Sequence, residues 1–328
     1  MSSPDGATRS WLVKAVLSVG LALFAGPAPA FDYHLKPVAV AERTWMVQGR
    51  REELSEDNGG DIANAAFIAT GDGVIVIDTG STLSYGRALR AAIATVTDQP
   101  VRWVINTHHH PDHVFGNQAF EGAEISALPA TIAALKRDAD SFRTTLYQRL
   151  GDAVRGTETA LPTRVLEAGE SRFGDYPLRL FAFSGHSGAD LVVLDPATGV
   201  LFTGDLVFHH RAPTTPHSPG IGIWREQLRQ VRALRFDVLV PGHGPAAKDE
   251  SPVVETLDYL DWLDRRLTNG AARGATRNEV IQAPLPERFA GMALVRYELT
   301  RSVSHFYADY EEALLWADPD TTKPDTTK

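Results

Sequence analysis

Apolar residues along this chain fall in short runs broken by glycine, proline and polar turns, and these runs alternate with longer stretches of helical periodicity. Asn64–Thr70 and Gly73–Asp78, separated by Gly71-Asp72, predict a hairpin of two buried strands. Trp103–Asn106, Arg164–Glu167, Leu178–Phe183, Leu191–Asp195, Val200–Thr203 and Val238–Val240 predict further strands, and a short one is expected at Thr44–Gln48. Pro196-Ala197-Thr198-Gly199 supplies a turn between two of them. Helices are expected over Tyr85–Thr97, Pro129–Leu150, Trp224–Leu234 and Met292–Trp316. Another opens at Ser251-Pro252, read as an N-cap followed by proline at N1, with Val254, Leu257, Leu260 and Leu263 on one side. Strands and helices alternate in both halves, which predicts an α/β layered architecture. Residues 208–220 carry His, Pro and Thr without periodicity and are expected to form a loop.

The first thirty residues follow a different logic. Arg9 and Lys14 precede the apolar run Ala15–Ala25, and Gly26-Pro27-Ala28-Pro29-Ala30 carries a small-Xaa-small pattern before Phe31. A charged region, a short apolar region and a cleavage site of this kind predict a secretory signal peptide over 1–30, cut after Ala30. An uncleaved anchor is the alternative, but the run is short for a bilayer. No Arg-Arg pair is present, which favours the general secretion route to the periplasm or the exterior. The remaining chain divides into residues 31–250, a helical extension over 251–316 that caps the sheet or joins a second copy, and a polar tail over 317–328.

Composition narrows the chemistry. With 43% hydrophobic and 22% charged residues, the chain has the makings of a globular core. The net charge of −9 falls by one further unit when Arg9, Lys14 and Asp5 leave with the signal peptide, so nucleic acid is a poor partner and a small-molecule substrate the better expectation. There is no cysteine, which excludes disulfides, thiolate ligands and thiol nucleophiles. A metal site here must use nitrogen and oxygen.

Four of the 11 histidines fall within Thr107-His108-His109-His110-Pro111-Asp112-His113, at the end of a predicted buried strand. Alternate residues of an extended segment point the same way, so His108 and His110 can grip one ion, while Asp112 and His113 turn toward a second. Isolated potential ligands recur after later strands, in Ser184-Gly185-His186-Ser187-Gly188, Thr203-Gly204-Asp205 and Pro241-Gly242-His243-Gly244. A purification-tag-like surface run would have neither the apolar strand before it nor these echoes. His109, between two ligand candidates, is expected to point away from them. His209, His210, His217 and Arg211 lie in the 208–220 loop, which either lines a substrate cleft or is solvated. Tyr307, Tyr310 and Trp316 are expected to pack.

This order of motifs, over about residues 60–245, resembles the metallo-β-lactamase superfamily of zinc-dependent, glyoxalase II-like hydrolases. The resemblance implies a four-layer αββα sandwich with metals at the edge of two sheets, here with extra C-terminal helices. It implies that His108, His110 and His186 hold a first zinc, that Asp112, His113 and His243 hold a second, and that Asp205 bridges both. Asp78, in Ile77-Asp78-Thr79-Gly80, matches a position that orients a ligand histidine. Asp205 resembles the bridging aspartate of thioesterases and lactonases, which makes β-lactam cleavage secondary, and a histidine at position 110 disfavours flavodiiron proteins. Asn58–Asn64 and the loop from Asp205 to Pro216 further resemble a periplasmic group, the quinoprotein relay system zinc metallohydrolases, which implies a quinoprotein dehydrogenase system as partner.

The expected reaction is hydrolysis of a thioester, lactone or related ester by a hydroxide bridging two zinc ions, with Asp112 accepting a hydrogen bond and then a proton. Iron or manganese could replace zinc. Three alternatives stay open: a mononuclear iron enzyme like the persulfide dioxygenases, a β-lactam hydrolase, and a non-catalytic partner of a quinoprotein dehydrogenase.

Overall fold

The computed structural model describes residues 31–316, so the predicted signal peptide and the tail lie outside the described residues. Strands β1 (Val38–Ala41), β2 (Thr44–Val47), β3 (Ala65–Ala69), β4 (Val74–Ile77), β5 (Val101–Ile105), β6 (Glu124–Ala127) and β7 (Arg164–Val165) form one sheet in sequence order. The first four pair antiparallel and the rest parallel. Strands β8 (Gly169–Phe173), β9 (Tyr176–Phe183), β10 (Asp190–Asp195), β11 (Val200–Phe202) and β12 (Val238–Val240) form a second sheet in the order β12-β11-β10-β9-β8. Only its β11–β12 pair is parallel.

Continuous apolar strands follow from burial on both faces. Ile68, Ile75, Ile77 and Ile105 of the first sheet meet Leu191, Val193, Val200, Phe202, Val238 and Val240 of the second in one core between the sheets. The alternate residues Phe67, Val74, Val76 and Val104 pack instead on Leu83, Leu89 and Ile93 of helix α1 (Leu83–Ala94). The outer residues of the second sheet, Val192, Leu194, Leu201 and Leu239, meet a third core. It holds Trp224 and Leu228 of α4 (Ile221–Arg232), Leu260 and Leu263 of α5 (Ser251–Ala272) and Leu299 and Val303 of α7 (Val295–Leu315). The layers therefore run helix, sheet, sheet, helices, as the α/β sandwich reading expected. A one-residue slip in any of these strands would exchange its two cores.

Between these elements lie α2 (Pro111–Val114), α3 (Pro129–Leu150) and α6 (Arg277–Gln282). Three differences from the sequence reading have physical causes. Strands β6 and β8 carry mixed residues and gave no apolar run, and β1, although apolar, is only four residues long and lies half exposed at the edge of its sheet. The α5 N-cap is Glu250, and the Ser251 N–H bonds Asp249 Oδ1 at 3.0 Å, so Pro252 sits one residue deeper than expected. The last helix starts at Val295 because Leu294 takes φ 60, outside the helical range. Among the described residues, no helix is long and apolar enough to cross a membrane.

Candidate metal centre

Strands β4, β5, β9, β11 and β12 all end at one edge of the sandwich, and each is followed by a short turn carrying a polar side chain. Ile77 leads to Asp78, Ile105 to His108 and His110, Phe183 to His186, Phe202 to Asp205, and Val240 to His243. Helix α2 then carries Asp112 and His113, with Pro111 fitting its first turn. The structure thus brings all seven sequence candidates to one place. His108, His110, His186 and Asp205 form one group of mutually close donor atoms, and Asp112, His113 and His243 form a second.

Asp205 stands between the groups. One carboxylate oxygen lies 3.3 Å from Nε2 of both His186 and His243 and 3.9 Å from His108 Nε2, and the other lies 3.0 Å from His113 Nε2. Asp112 Oδ2 lies 3.3 Å from His243 Nε2 and 3.8 Å from His113 Nε2. Gly242 is required for this approach, because a Cβ there would collide with Asp205 Oδ1 and sit 2.6 Å from the Gly204 carbonyl carbon.

The outward nitrogens show that the rings are aimed. His243 Nδ1 meets the Ile62 carbonyl at 2.7 Å and His186 Nδ1 meets the Thr214 carbonyl at 3.0 Å. A carbonyl only accepts, so both protons sit on Nδ1 and both Nε2 lone pairs face inward. Asp78 accepts from Thr107 N and Thr107 Oγ1 at 2.8 and 2.7 Å and meets His113 Nδ1 at 2.8 Å. Since the Thr107 hydroxyl proton goes to Asp78, its oxygen accepts from His108 Nδ1 at 3.0 Å. Asp78 takes the left-handed region at φ 59, a conformation that Asp tolerates better than most residues.

This donor set fits metal ions. His108 Nε2, His113 Nε2 and Asp205 Oδ1 are buried without a hydrogen-bond partner, which is costly unless a cation satisfies them. The His186 Nε2 lone pair meets His110 Nδ1 at 2.7 Å, so His110 Nδ1 either donates to it or, without its proton, joins it in holding a cation. Burial holds His108 and His110 well below the usual imidazole pKa and pushes His186 down to about 3, so all three are neutral donors. Burial also opposes charge on His113, but Asp205, Asp78 and Asp112 outweigh it and raise its pKa. A metal ion would take the place of that proton.

Three supports escaped sequence reasoning. His217 Nδ1 lies 2.6 Å from His110 Nε2, reaching in from the 208–220 loop. Asn64 donates to the Pro241 and Gly244 carbonyls at 2.8 and 2.7 Å and so clamps the His243 turn. Asp190 accepts from Gly185 N, Ser187 N and Ser187 Oγ, which fixes the His186 turn. The only sequence signal for His217 was a histidine in a loop after Asp205, Asn64 stood out only as the last residue of the Asn58–Asn64 run, and Asp190 gave none. His109 is buried with Nε2 3.8 Å from Asp138, yet it does not stand clear of the seven: its ring lies 4.7 Å from that of His110, and the two form a group of close donor atoms with His217. Tyr307 packs as expected, whereas Trp316 is 80% exposed at the end of α7.

Above the centre lies a cleft of about 330 Å³, lined by Leu54, Phe142, Arg149, His217, Tyr297 and Arg301, with His110, Asp112, Asp205 and His243 at its base. The 208–220 loop forms one wall through Arg211, Thr214 and His217; Phe208, Ala212 and Thr215 are buried, while His210 and His217 are exposed. Arg211 also lines the cleft, but it is buried 3.7 Å from Glu298, so its charge is already met.

Three similarities place this geometry among known proteins. A linear primary-alkylsulfatase of Pseudomonas sp. is 22% identical over 76% of this chain and 55% of its own length, so the chain spans little more than half of that relative. An acyl-coenzyme A thioesterase of Bos taurus is 26% identical over 56% of this chain and 74% of its own. A metallo-β-lactamase of Pseudomonas aeruginosa, solved in a mono-zinc form, superposes with a TM-score of 0.57 at 18% identity, covering 70% of this chain and 96% of that one, which shows the fold alone. Residues 58–243, more than half of the chain, match the metallo-beta-lactamase superfamily profile. The chain is therefore a member of the metallo-β-lactamase superfamily, with two groups of His and Asp side chains that could hold metal gathered at its sheet edge.

Proposed function

We propose that this protein is a dinuclear zinc hydrolase acting on a small ester-like substrate, a thioester, a lactone or a related ester, in the periplasm or outside the cell. The observation that carries the reading is the Asp205 carboxylate, set between two histidine groups with one oxygen toward His113 and the other toward His186 and His243. His108, His110 and His186 would hold one ion, Asp112, His113 and His243 the other, and Asp205 would serve both. Such a pair supplies an activated water near neutral pH and polarises the oxygen of the group under attack.

The chain's own residues account for the rest. Burial alone would raise the Asp112 pKa, but His113 and His243 outweigh it and hold the carboxylate ionised. Asp112 also lines the cleft, so it can accept a proton beside a bound substrate. The cleft volume suits a small molecule, and Leu54, Phe142 and Tyr297 give it an apolar side. The names of two relatives, an alkylsulfatase and a thioesterase, support ester-like bonds. The address rests on the sequence of residues 1–30, and a quinoprotein dehydrogenase system as partner rests on the finer resemblance of Asn58–Asn64 and the loop from Asp205 to Pro216.

Elemental analysis of the purified protein, combined with a panel of thioesters, lactones, alkyl sulfates, phosphoesters and β-lactams, tests this reading. About two zinc ions per chain and turnover of an ester are expected. A folded metal-free protein, or one iron per chain with sulfite production from a persulfide, would overturn it.

A further inference from the structure

We propose a second, separate metal site on the protein surface, in which His209, His210 and Glu255 bind one divalent transition-metal ion, Zn2+ being the preferred probe. The three side chains form a group of mutually close donor atoms that shares no member with the centre described above. His209 Nδ1 meets the Pro245 carbonyl at 2.8 Å, so the proton sits on Nδ1 and the Nε2 lone pair is free. That lone pair faces Glu255 Oε2 at 4.0 Å, and His210 Nδ1 lies 3.1 Å from the same oxygen. Two ligands of one tetrahedral zinc, each bonded at about 2.0–2.1 Å, stand roughly 3.3 Å apart, so the observed spacings bracket the required one.

The backbone is set for this arrangement. His210 adopts φ 56, which lets its N–H donate to Glu255 Oε1 at 2.7 Å while its ring lies beside that of His209, with centroids 4.0 Å apart. One carboxylate is thereby fixed by the main chain and presented to two imidazoles. Position 210 is half open to solvent, which gives an ion a way in, while His209 is buried. Two imidazoles and one carboxylate suit zinc and the later first-row divalent metals, with water completing the shell.

The site would act as a brace. His209 N donates to the His243 carbonyl at 3.0 Å, and Phe208 stacks on the His243 ring at 5.3 Å. An ion joining His209 and His210 to Glu255 of α5 would tie this segment, and the His243 turn against it, to the helical layer.

The full chain, stripped by chelator, reloaded with Zn2+ and desalted, is analysed for zinc per chain. His210→Gly, which suits φ 56, and Glu255→Gln, which keeps an acceptor for the His210 N–H, are each expected to lose one equivalent relative to the unmodified chain. Asp205→Ala is expected to retain that equivalent. If the dinuclear reading fails while this one holds, the unmodified chain takes up a single equivalent and His210→Gly takes up none. An unchanged zinc count in both His210→Gly and Glu255→Gln, with both variants folded by circular dichroism, overturns the site.

Discussion

Asp78 Oδ2 lies 2.8 Å from Nδ1 of His113, and the same carboxylate reaches His108 through the hydroxyl of Thr107. One buried acid thus orients a ring in each of the two histidine groups. Asp78→Asn keeps the left-handed backbone and an acceptor for Thr107 N but removes the charge that fixes His113. Partners of this kind are worth about 10–100-fold in metal affinity. The variant should lose zinc to a competing chelator at concentrations lower by that factor, with an unchanged circular dichroism spectrum. Equal retention in the two proteins would show that Asp78 only stabilises its turn.

Asp112 touches the cleft and sits 3.3 Å from His243, so its removal should affect chemistry more than folding. We expect Asp112→Ala to lower kcat by about 10²–10⁴-fold, the usual worth of a positioned proton acceptor. The unfolding midpoint should stay near that of the unmodified chain. Unchanged turnover on an ester that the unmodified enzyme cleaves would remove Asp112 from the reaction.

The sequence was informative where local chemistry repeats the fold's logic. Ile75 and Ile77 against Val74 and Val76 show why: an unbroken apolar run is what a strand between two cores requires, and glycine turns at its end mark the sheet edge. His186, Asp205 and His243 were legible because each stands alone in such a turn. Strands β6 and β8 were hidden because they carry mixed residues and no apolar run, and β1 because its four apolar residues lie half exposed at the sheet edge, unlike the strands buried on both faces. Asn64 and Asp190 were hidden for another reason. Their partners, Pro241 and Gly244 in one case and Gly185 and Ser187 in the other, are backbone groups or local turns whose proximity only the folded chain defines.

His217 shows how such a contact can be tested. Its Nδ1 lies 2.6 Å from His110 Nε2, on the side of that ring opposite His186. His217→Ala leaves the His110 ring free to rotate and should weaken zinc retention by about 10–100-fold. Because His217 also lines the cleft, KM on the best ester should rise as well. His217→Gln, which can still meet His110 Nε2, should recover zinc retention more than KM. Recovery of neither, with the fold intact, would make His217 a wall of the cleft and nothing more.

Away from the centre, Asp61 offers a pH dependence whose direction is fixed. Its Oδ1 is buried without a hydrogen-bond partner, and burial pushes its pKa from 3.8 up to about 6, with Arg50 lowering it and Glu52 raising it. The folded chain therefore holds this proton more tightly than the unfolded one. The stability linked to it is fully present below pH 3.8 and is lost as pH rises through about 6. Asp61→Asn is neutral throughout and keeps the shape, so it should match the unmodified chain near pH 4 and unfold at a higher temperature at pH 8. Thermal unfolding of both proteins across this range is the measurement. A gap between the midpoints that stays constant with pH would mean that the Asp61 carboxyl binds its proton equally well in the folded and unfolded chain.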